Sequence, residues 1–397
     1  MTRARLFLVV ESGVDVRLVE GLDERFELSI LARRIEGGVE VSQPPKARVR
    51  VEIGPASRLG FARTVFKMLR QRRAEIDCVV VQGYGAAALA ANLAGRVAGL
   101  RVLMLVCSPV EKYYLCRRAH ADASKPFRRR ELWALRMLAR VNASAGQHYL
   151  VLSRHLSEVV RAHGTRRPVS IIPVYGVDTE IFSPARGETR RETKERLGLP
   201  ATGSLIFFSS RVAPEKDAET LLRAVRALLD EGLDIWLLHR SGGFQSFIKD
   251  AARFGVAERV IATDAVHPHE QLPDDYRASD LCVQASREEG LGFSPLEALA
   301  CGTPVVAASV GGLRETIIDG ETGWSYPAGD VETLARCIEE ALSDRDEAER
   351  RTANGRTLVR AHYDRLDVFN QLAEALKPSH GRGVSPAEYY ERPAADN

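Results

Sequence analysis

No run of apolar residues in this chain approaches the roughly 18 needed to cross a bilayer as a helix. The opening stretch, Met1 to Glu11, is too short for a signal-peptide core and has no small-residue cleavage site after it, so it reads as a first buried strand. The six cysteines, at 78, 107, 116, 282, 301 and 337, form no C-x-x-C pair. That excludes zinc-ligand spacing and a disulfide framework, and it makes a reducing cytoplasm the expected compartment. Aromatic residues are few, at 7%, and none interleave with basic residues as a base-stacking platform would, so no nucleic acid is expected as a partner. What is present is ordinary globular composition, 45% hydrophobic and 27% charged over 397 residues. That length suits roughly two to three domains.

The net charge of +3 conceals an asymmetry. Residues 1–173 hold 30 Lys+Arg against 15 Asp+Glu, or +15; the remainder holds 26 against 38, or −12. A basic half joined to an acidic half suggests that the first meets an anionic surface or substrate. The densest basic stretch is residues 125–140, from Lys125 through Arg128, Arg129 and Arg130 to Arg136 and Arg140. Leu132, Leu135 and Leu138 fall near helical spacing there, with Trp133 beside them. A basic amphipathic helix carrying a Trp suits an anionic membrane surface; a helix packing those leucines on its own domain suits the same pattern.

Short apolar runs alternate with helical segments throughout. Arg5–Val10, Asp77–Gln82, Arg101–Val106, Tyr149–Leu152 and Val169–Ile172 read as strands in the first half. Leu205–Phe208, Ile235–Leu238, Val260–Ala262, Leu281–Gln284 and Val305–Ala307 follow in the second. Continuous apolar runs of this length suit parallel strands buried on both faces. The expected fold class is therefore α/β, with two Rossmann-like doubly wound domains. They are expected at residues 1–173 and 174–376, the last helix packing back on the first, with a flexible tail at 377–397. Ligands belong at the carboxyl ends of such strands, so two sheets facing one another would enclose an interdomain cleft for two substrates.

The chemistry concentrates after Leu281–Gln284, in Ser286-Arg-Glu-Glu289-Gly290-Leu291-Gly292-Phe293-Ser294-Pro295-Leu-Glu297. Ser294 is the expected N-cap, Pro295 the first helical residue and Glu297 the partner in a capping box, with Gly302 ending the helix. A glycine loop at a helix N-terminus binds anions. Glu289 and Glu297, seven residues apart, are placed to accept hydrogen bonds from sugar and ribose hydroxyls. Cations come from the loop after Leu205–Phe208, where Arg211 and Lys216 are suited to neutralise a diphosphate. Asp217 is the expected N-cap of the helix beginning at Ala218. Arg287 and Glu288 read as surface residues.

These motifs resemble the family-4 glycosyltransferases (glycosyl transferases group 1), retaining enzymes of the GT-B fold. Glu289 and Glu297 match the family's E-x7-E motif, and Arg211 with Pro214-Glu215-Lys216 matches its basic loop. The segment Ile171 to Pro184, Val305 to Glu315 and Asp319-Gly320-Glu-Thr-Gly323 extend the likeness, which is dense from about 150 to 335. The resemblance implies that Arg211 and Lys216 hold the donor's diphosphate and that Glu297 binds the ribose. Glu289 would contact the donor sugar, and Gly290, Leu291, Gly292 and Phe293 would offer backbone amides. It implies front-face retention, with the leaving diphosphate assisting deprotonation of the acceptor. A nucleotide-diphosphate sugar is the expected co-substrate and a glycan, glycolipid or lipid-linked molecule the acceptor. No cofactor or metal is expected, because Arg211 and Lys216 supply the positive charge. The expected location is cytoplasmic, peripheral at the inner face of the cell membrane.

The chain departs from the family on the acceptor side. One glycine, Gly13, stands where members often carry two, and Cys107 stands where many carry a His that touches the donor sugar. His120 is nearby in sequence but off the motif position, and Tyr175 replaces a common Asn. These departures keep two alternatives in view: a non-catalytic nucleotide-sugar-binding or scaffold protein, and an epimerase or phosphorylase on the same fold.

Overall fold

In a computed structural model of the chain, residues 3–13, 15–35, 49–119, 129–185, 187–263 and 271–377 are described. His120, the start of the basic segment (125–128) and the tail from 378 lie outside them. The chain forms two compact units. The first comprises Met1–Cys107, Arg130–Tyr175 and Phe369–Asn397; the second comprises Ser108–Arg129 and Gly176–Val368. This division differs from a single break at residue 173. Helix Val110–Ala119 follows a strand of the first unit in sequence, yet its polar side chains are engaged within the second, as shown below.

The first unit is built on seven strands: β1 (Arg5–Val10), β2 (Glu27–Arg33), β3 (Arg50–Gly54), β4 (Cys78–Gln82), β5 (Arg101–Val106), β6 (His148–Val151) and β7 (Val169–Ile171). Their order is β3-β2-β1-β4-β5-β6-β7, and every pairing is parallel. β1, β4 and β5 are the apolar runs legible in the sequence, and their residues are almost wholly buried, as strands covered on both faces must be. β2 and β3 escaped sequence reading. β3 is an edge strand, Arg-Val-Glu-Ile-Gly, whose charges leave it half exposed. Helix Arg129–Ala145 buries Leu132, Ala139 and Asn142, leaves Leu135 and Leu138 half-buried, and turns Arg129, Arg130, Trp133, Arg136 and Arg140 outward.

The second unit holds six parallel strands: β8 (Ser204–Phe207), β9 (Ile235–Arg240), β10 (Val260–Thr263), β11 (Leu281–Gln284), β12 (Val305–Ala308) and β13 (Trp324–Tyr326). Their order is β10-β9-β8-β11-β12-β13. β13 was also not legible beforehand: three residues, with Ser in the middle, carry too little periodicity. The order reverses direction between β8 and β11, which pair in register Leu281–Ile206 and Cys282–Phe207. Such a switch point leaves a crevice at the strands' carboxyl ends, because the following helices depart to opposite faces. The loops leaving β8 and β11 are the ones singled out above for charge and glycine.

Candidate active site

The loop after β8 runs Ser209-Ser210-Arg211 and closes in a 3-10 turn at Pro214–Lys216. Next comes Asp217, the one non-glycine residue with positive φ (47°) among the described residues. A short polar side chain tolerates this conformation better than most, at a cost of about 1–2 kcal/mol. The structure holds it there: Thr220 Oγ1 donates to Asp217 Oδ2 at 2.6 Å, and Arg287 Nε lies 2.9 Å from the same oxygen. Asp217 thus occupies the expected N-cap position of helix Ala218–Asp230, but no backbone amide of that helix is capped by its side chain. Its carboxylate instead fixes the turn that delivers Lys216.

Helix Phe293–Cys301 begins two residues earlier than the capping-box reading placed it. Gly292 is the N-cap, at φ 93°, a conformation that only glycine adopts without strain. Ser294 and Pro295 are therefore inside the helix, Glu297 lies beyond its first turn, and no capping box forms. The Ser294 hydroxyl goes to Tyr276. Released from capping, Glu297 accepts a 2.9 Å hydrogen bond from Tyr276 Oη, which also lies 3.2 Å from Ser209 Oγ. Tyr276 is fully buried, edge-on to Phe207 and Phe182. Burial first, then the charge of Glu297, holds its hydroxyl protonated well above the usual phenol range.

Glu289 is 7% exposed and sits at the end of an oriented chain of hydrogen bonds. Ser210 Oγ donates to Gln284 Oε1 (2.9 Å), Gln284 Nε2 donates to Ser286 Oγ (2.7 Å), and Ser286 Oγ donates to Glu289 Oε2 (3.2 Å). Lys216 Nζ pairs with the same Glu289 oxygen, and Tyr113 Oη donates to Oε1 at 3.3 Å. The Gly290 amide hydrogen-bonds the Tyr113 phenol oxygen, so the phenol bridges acid and amide; burial, then Glu289, raises its pKa well above the ordinary value. Behind the loop, Gly312 N–H donates to Glu289 O at 3.1 Å. A Cβ on Gly311 would fall 2.0 Å from Glu289 O, and one on Gly312 would fall 2.3 Å from Gly290 O. The Gly-Gly step after β12 therefore lets a second backbone brace the first.

Glu215, between Arg211 and Lys216 in sequence, is fully buried. Arg117 grips both its oxygens (Nη2 to Oε1 2.8 Å, Nε to Oε2 3.1 Å), and Arg211 Nη2 reaches Oε1 at 3.1 Å. Burial raises the Glu215 pKa, but the Arg117 hydrogen bonds, a backbone hydrogen bond and the charges of Arg117 and Arg211 together outweigh it and hold the carboxyl below its usual range. Glu288, read beforehand as a surface residue, is 8% exposed and pairs with Lys112 at 3.2 Å. Arg287 is exposed, yet it ties Asp217 in place and donates its backbone N–H to Glu215 O at 2.9 Å.

The structure thus brings Arg211, Lys216, Glu289, Gly290, Leu291, Gly292, Phe293 and Glu297 to one switch point in the second unit. Gly13 and Cys107 belong to the first unit, at the ends of β1 and β5. There Tyr175 Oη donates to Cys107 Sγ at 3.2 Å, and burial pushes the thiol up to about 11. Sequence reasoning missed Ser210, Tyr276, Gln284 and Ser286; polar residues closing apolar strands at a switch point were the available signal. It also missed Tyr113 and Arg117, for which no local signal existed. Among the described residues no group of three or more His, Cys, Asp or Glu is arranged to hold a metal. The Asp-x-Asp sequence at Asp344-Arg345-Asp346 starts a helix, where Asp344 Oδ1 caps the Glu347 amide at 3.0 Å.

Comparison with known proteins sets the class first. The fold is GT-B: a sucrose-phosphate synthase from Thermosynechococcus elongatus superposes with a TM-score of 0.75 at 20% identity, covering 94% of this chain and 98% of the other. HepE of Anabaena, in a complex with UDP and glucose, superposes at 0.73 with 18% identity, covering 94% and 99%. The family model described as Glycosyl transferases group 1 matches residues 189–358, which lie in the second unit. A D-inositol 3-phosphate glycosyltransferase of Streptomyces avermitilis is 35% identical over 206 residues, 48% of this chain and 43% of the relative. One from Xylanimonas cellulosilytica is 32% identical over 234 residues, 55% of each. The matches thus span about half the length of these curated relatives.

Proposed function

We propose that this chain transfers a glycosyl group from a nucleoside diphosphate sugar to a hydroxyl of a glycan, glycolipid or lipid-linked acceptor, with retention at the anomeric carbon. One observation carries the reading: two cations and two buried carboxylates meet a glycine-turned helix start at the β8/β11 switch point. Arg211, Lys216 and the amides of Leu291 to Phe293 stabilise the charge that grows on the departing diphosphate, the Gly290 amide being taken by the Tyr113 phenol. Glu297, held by Tyr276, takes the ribose hydroxyls, and Glu289 takes a hydroxyl of the donor sugar. The acceptor oxygen bonds the anomeric carbon as the carbon–oxygen bond to the diphosphate breaks. The bonding pair leaves with the diphosphate, and the acceptor proton ends on a diphosphate oxygen. With two side-chain cations in place the reaction needs no metal, so activity should survive EDTA.

UDP-sugars are the first donors to test, since HepE has been captured with UDP and with UDP-glucose. A thermal-shift panel of nucleoside diphosphate sugars should raise the melting temperature for one base, and turnover with that donor should need an acceptor. Release of an isomerised sugar without acceptor would favour an epimerase; binding without turnover on any acceptor would favour a non-catalytic protein. The exposed Arg129, Arg130, Arg136 and Trp133 of helix Arg129–Ala145 support peripheral contact with anionic lipid on the cytoplasmic side. Replacing Arg129 and Arg130 by Glu should abolish co-sedimentation with phosphatidylserine vesicles; undiminished sedimentation would refute that contact.

A further inference from the structure

We infer that Arg117 is a positioning residue for the donor diphosphate, acting through Glu215 on Arg211. The inference rests on the donor-site reading above. Glu215 has no exposed surface, lies one residue before Lys216 and is held ionised, so it places a buried negative charge beside the two groups meant to attract a dianion. An unbalanced carboxylate there would oppose diphosphate binding in two ways. It would repel the ligand, and it would draw the Arg211 fork into a two-point grip of its own, the preferred geometry of arginine on carboxylate.

Arg117 prevents both. Its fork covers both Glu215 oxygens, at 2.8 and 3.1 Å, leaving Arg211 a single 3.1 Å bond through Nη2. The Arg211 side chain stays 58% exposed, able to turn its remaining donors to a ligand. Arg117 is not needed merely to hold helix Val110–Ala119 in place. That helix is also tied by Lys112 on Glu288 and Tyr113 on Glu289. The charge arithmetic of the loop is what Arg117 alters: with it, Glu215 is neutralised without consuming the donor-site arginine.

The test is calorimetric titration of UDP, and of GDP and ADP if UDP does not bind, into wild type, Arg117→Met and Arg117→Met/Glu215→Gln. Wild type should bind one of them. Arg117→Met should bind it about tenfold more weakly, one decade in Kd. The double variant should recover to within about threefold of wild type, because removing the orphaned charge restores Arg211. A tether role predicts no such recovery, since the double variant lacks the tether as well. Equal affinity in Arg117→Met, or a double variant as weak as the single one, overturns the inference and leaves the donor site standing. No binding of any diphosphate by wild type overturns the donor-site reading itself. Should Arg117→Met fail to fold, Arg117→Lys keeps the charge but not the fork; about threefold weaker binding is then expected, and unchanged binding overturns the inference.

Discussion

The carboxyl ends of the two sheets are built from different materials. At β8 and β11 the chain buries Glu215, Glu289 and Glu297 and balances them with Arg117, Arg211, Lys216 and the phenol of Tyr276. At β1 and β4 the charges are half-buried rather than buried: Arg17 pairs with Asp15 at 2.6 Å and Arg33 Nε donates to Glu11 O at 3.0 Å, beside a neutral contact in which Ser12 Oγ donates to Gln82 Oε1 at 3.1 Å. At the end of β5 a thiol meets a phenol. Buried charge is expensive unless paired, so a site that retains several charges has a use for them. On the proposed reading, the buried charges of the second sheet's end serve the donor's diphosphate. Part of the +15 charge of residues 1–173 lies on the outward face of helix Arg129–Ala145.

The sharpest way to break this contrast is Lys216→Ala against Cys107→Ala. The lysine variant should lose about 100- to 1,000-fold in kcat/KM with the donor found by thermal shift, the size of losing one preorganised charge-stabilising group. Cys107→Ala should leave donor affinity within about twofold, since no charge is removed. Comparable losses from both would erase the distinction. Next in size is Tyr276→Phe, which strips Glu297 of a hydrogen bond in a buried site. Donor KM should rise about tenfold, matching a hydrogen bond to a charged group, with a smaller change in kcat.

A third variant sharpens the comparison through the backbone. Asp217→Ala puts a residue with no local hydrogen bond at φ 47°, losing Thr220 and Arg287 as partners. Urea unfolding should show a loss of about 1–3 kcal/mol, and Asp217→Gly should lose less, because glycine tolerates the angle. A last variant concerns pH. Asp275, fully buried in helix Leu272–Ala278, has its pKa raised to about 7 by burial, which the nearby Arg240 guanidinium only partly opposes. Its ordinary value is 3.8, so the folded state binds the proton more tightly than the unfolded one. The resulting stability is fully present below about 4 and is lost as pH rises towards about 7. Asp275→Asn should flatten that slope in urea melts at pH 4.5, 5.5 and 7; an unchanged slope would place the titration elsewhere.

The strands most legible in the sequence were the continuous apolar runs, among them β1, β5 and β11, whose bounds were read as found. Both sheets are parallel and the fold is GT-B, as expected from the motifs, and residues 189–358 match the group 1 glycosyltransferase model. Local rules failed where a longer-range contact or a special backbone angle took precedence. Ser294 has every credential of an N-cap, but Gly292 turns the chain into the helix earlier, and Tyr276 claims both the serine and Glu297. Glu288 looked like a surface acid beside Arg287 until Lys112, far away in sequence, covered it. Arg117 and Tyr113 lie 98 and 176 residues from the acids they bind, and no periodicity connects such positions.

Strand-length apolar runs were enough to give the α/β fold class, and the ordered charges and glycines pointed to the residues that the structure gathers at the β8/β11 switch point. Those properties depend on local spacing, which is written along the chain. Which carboxylate faces which cation, where the helix after the glycine loop starts, and that a helix following the first sheet's fifth strand supplies Arg117 all depend on distance in space. Burial and backbone angle settle such matters once the strands have taken their order, because an ionised group in a folded interior must find its counter-charge wherever the chain brings one.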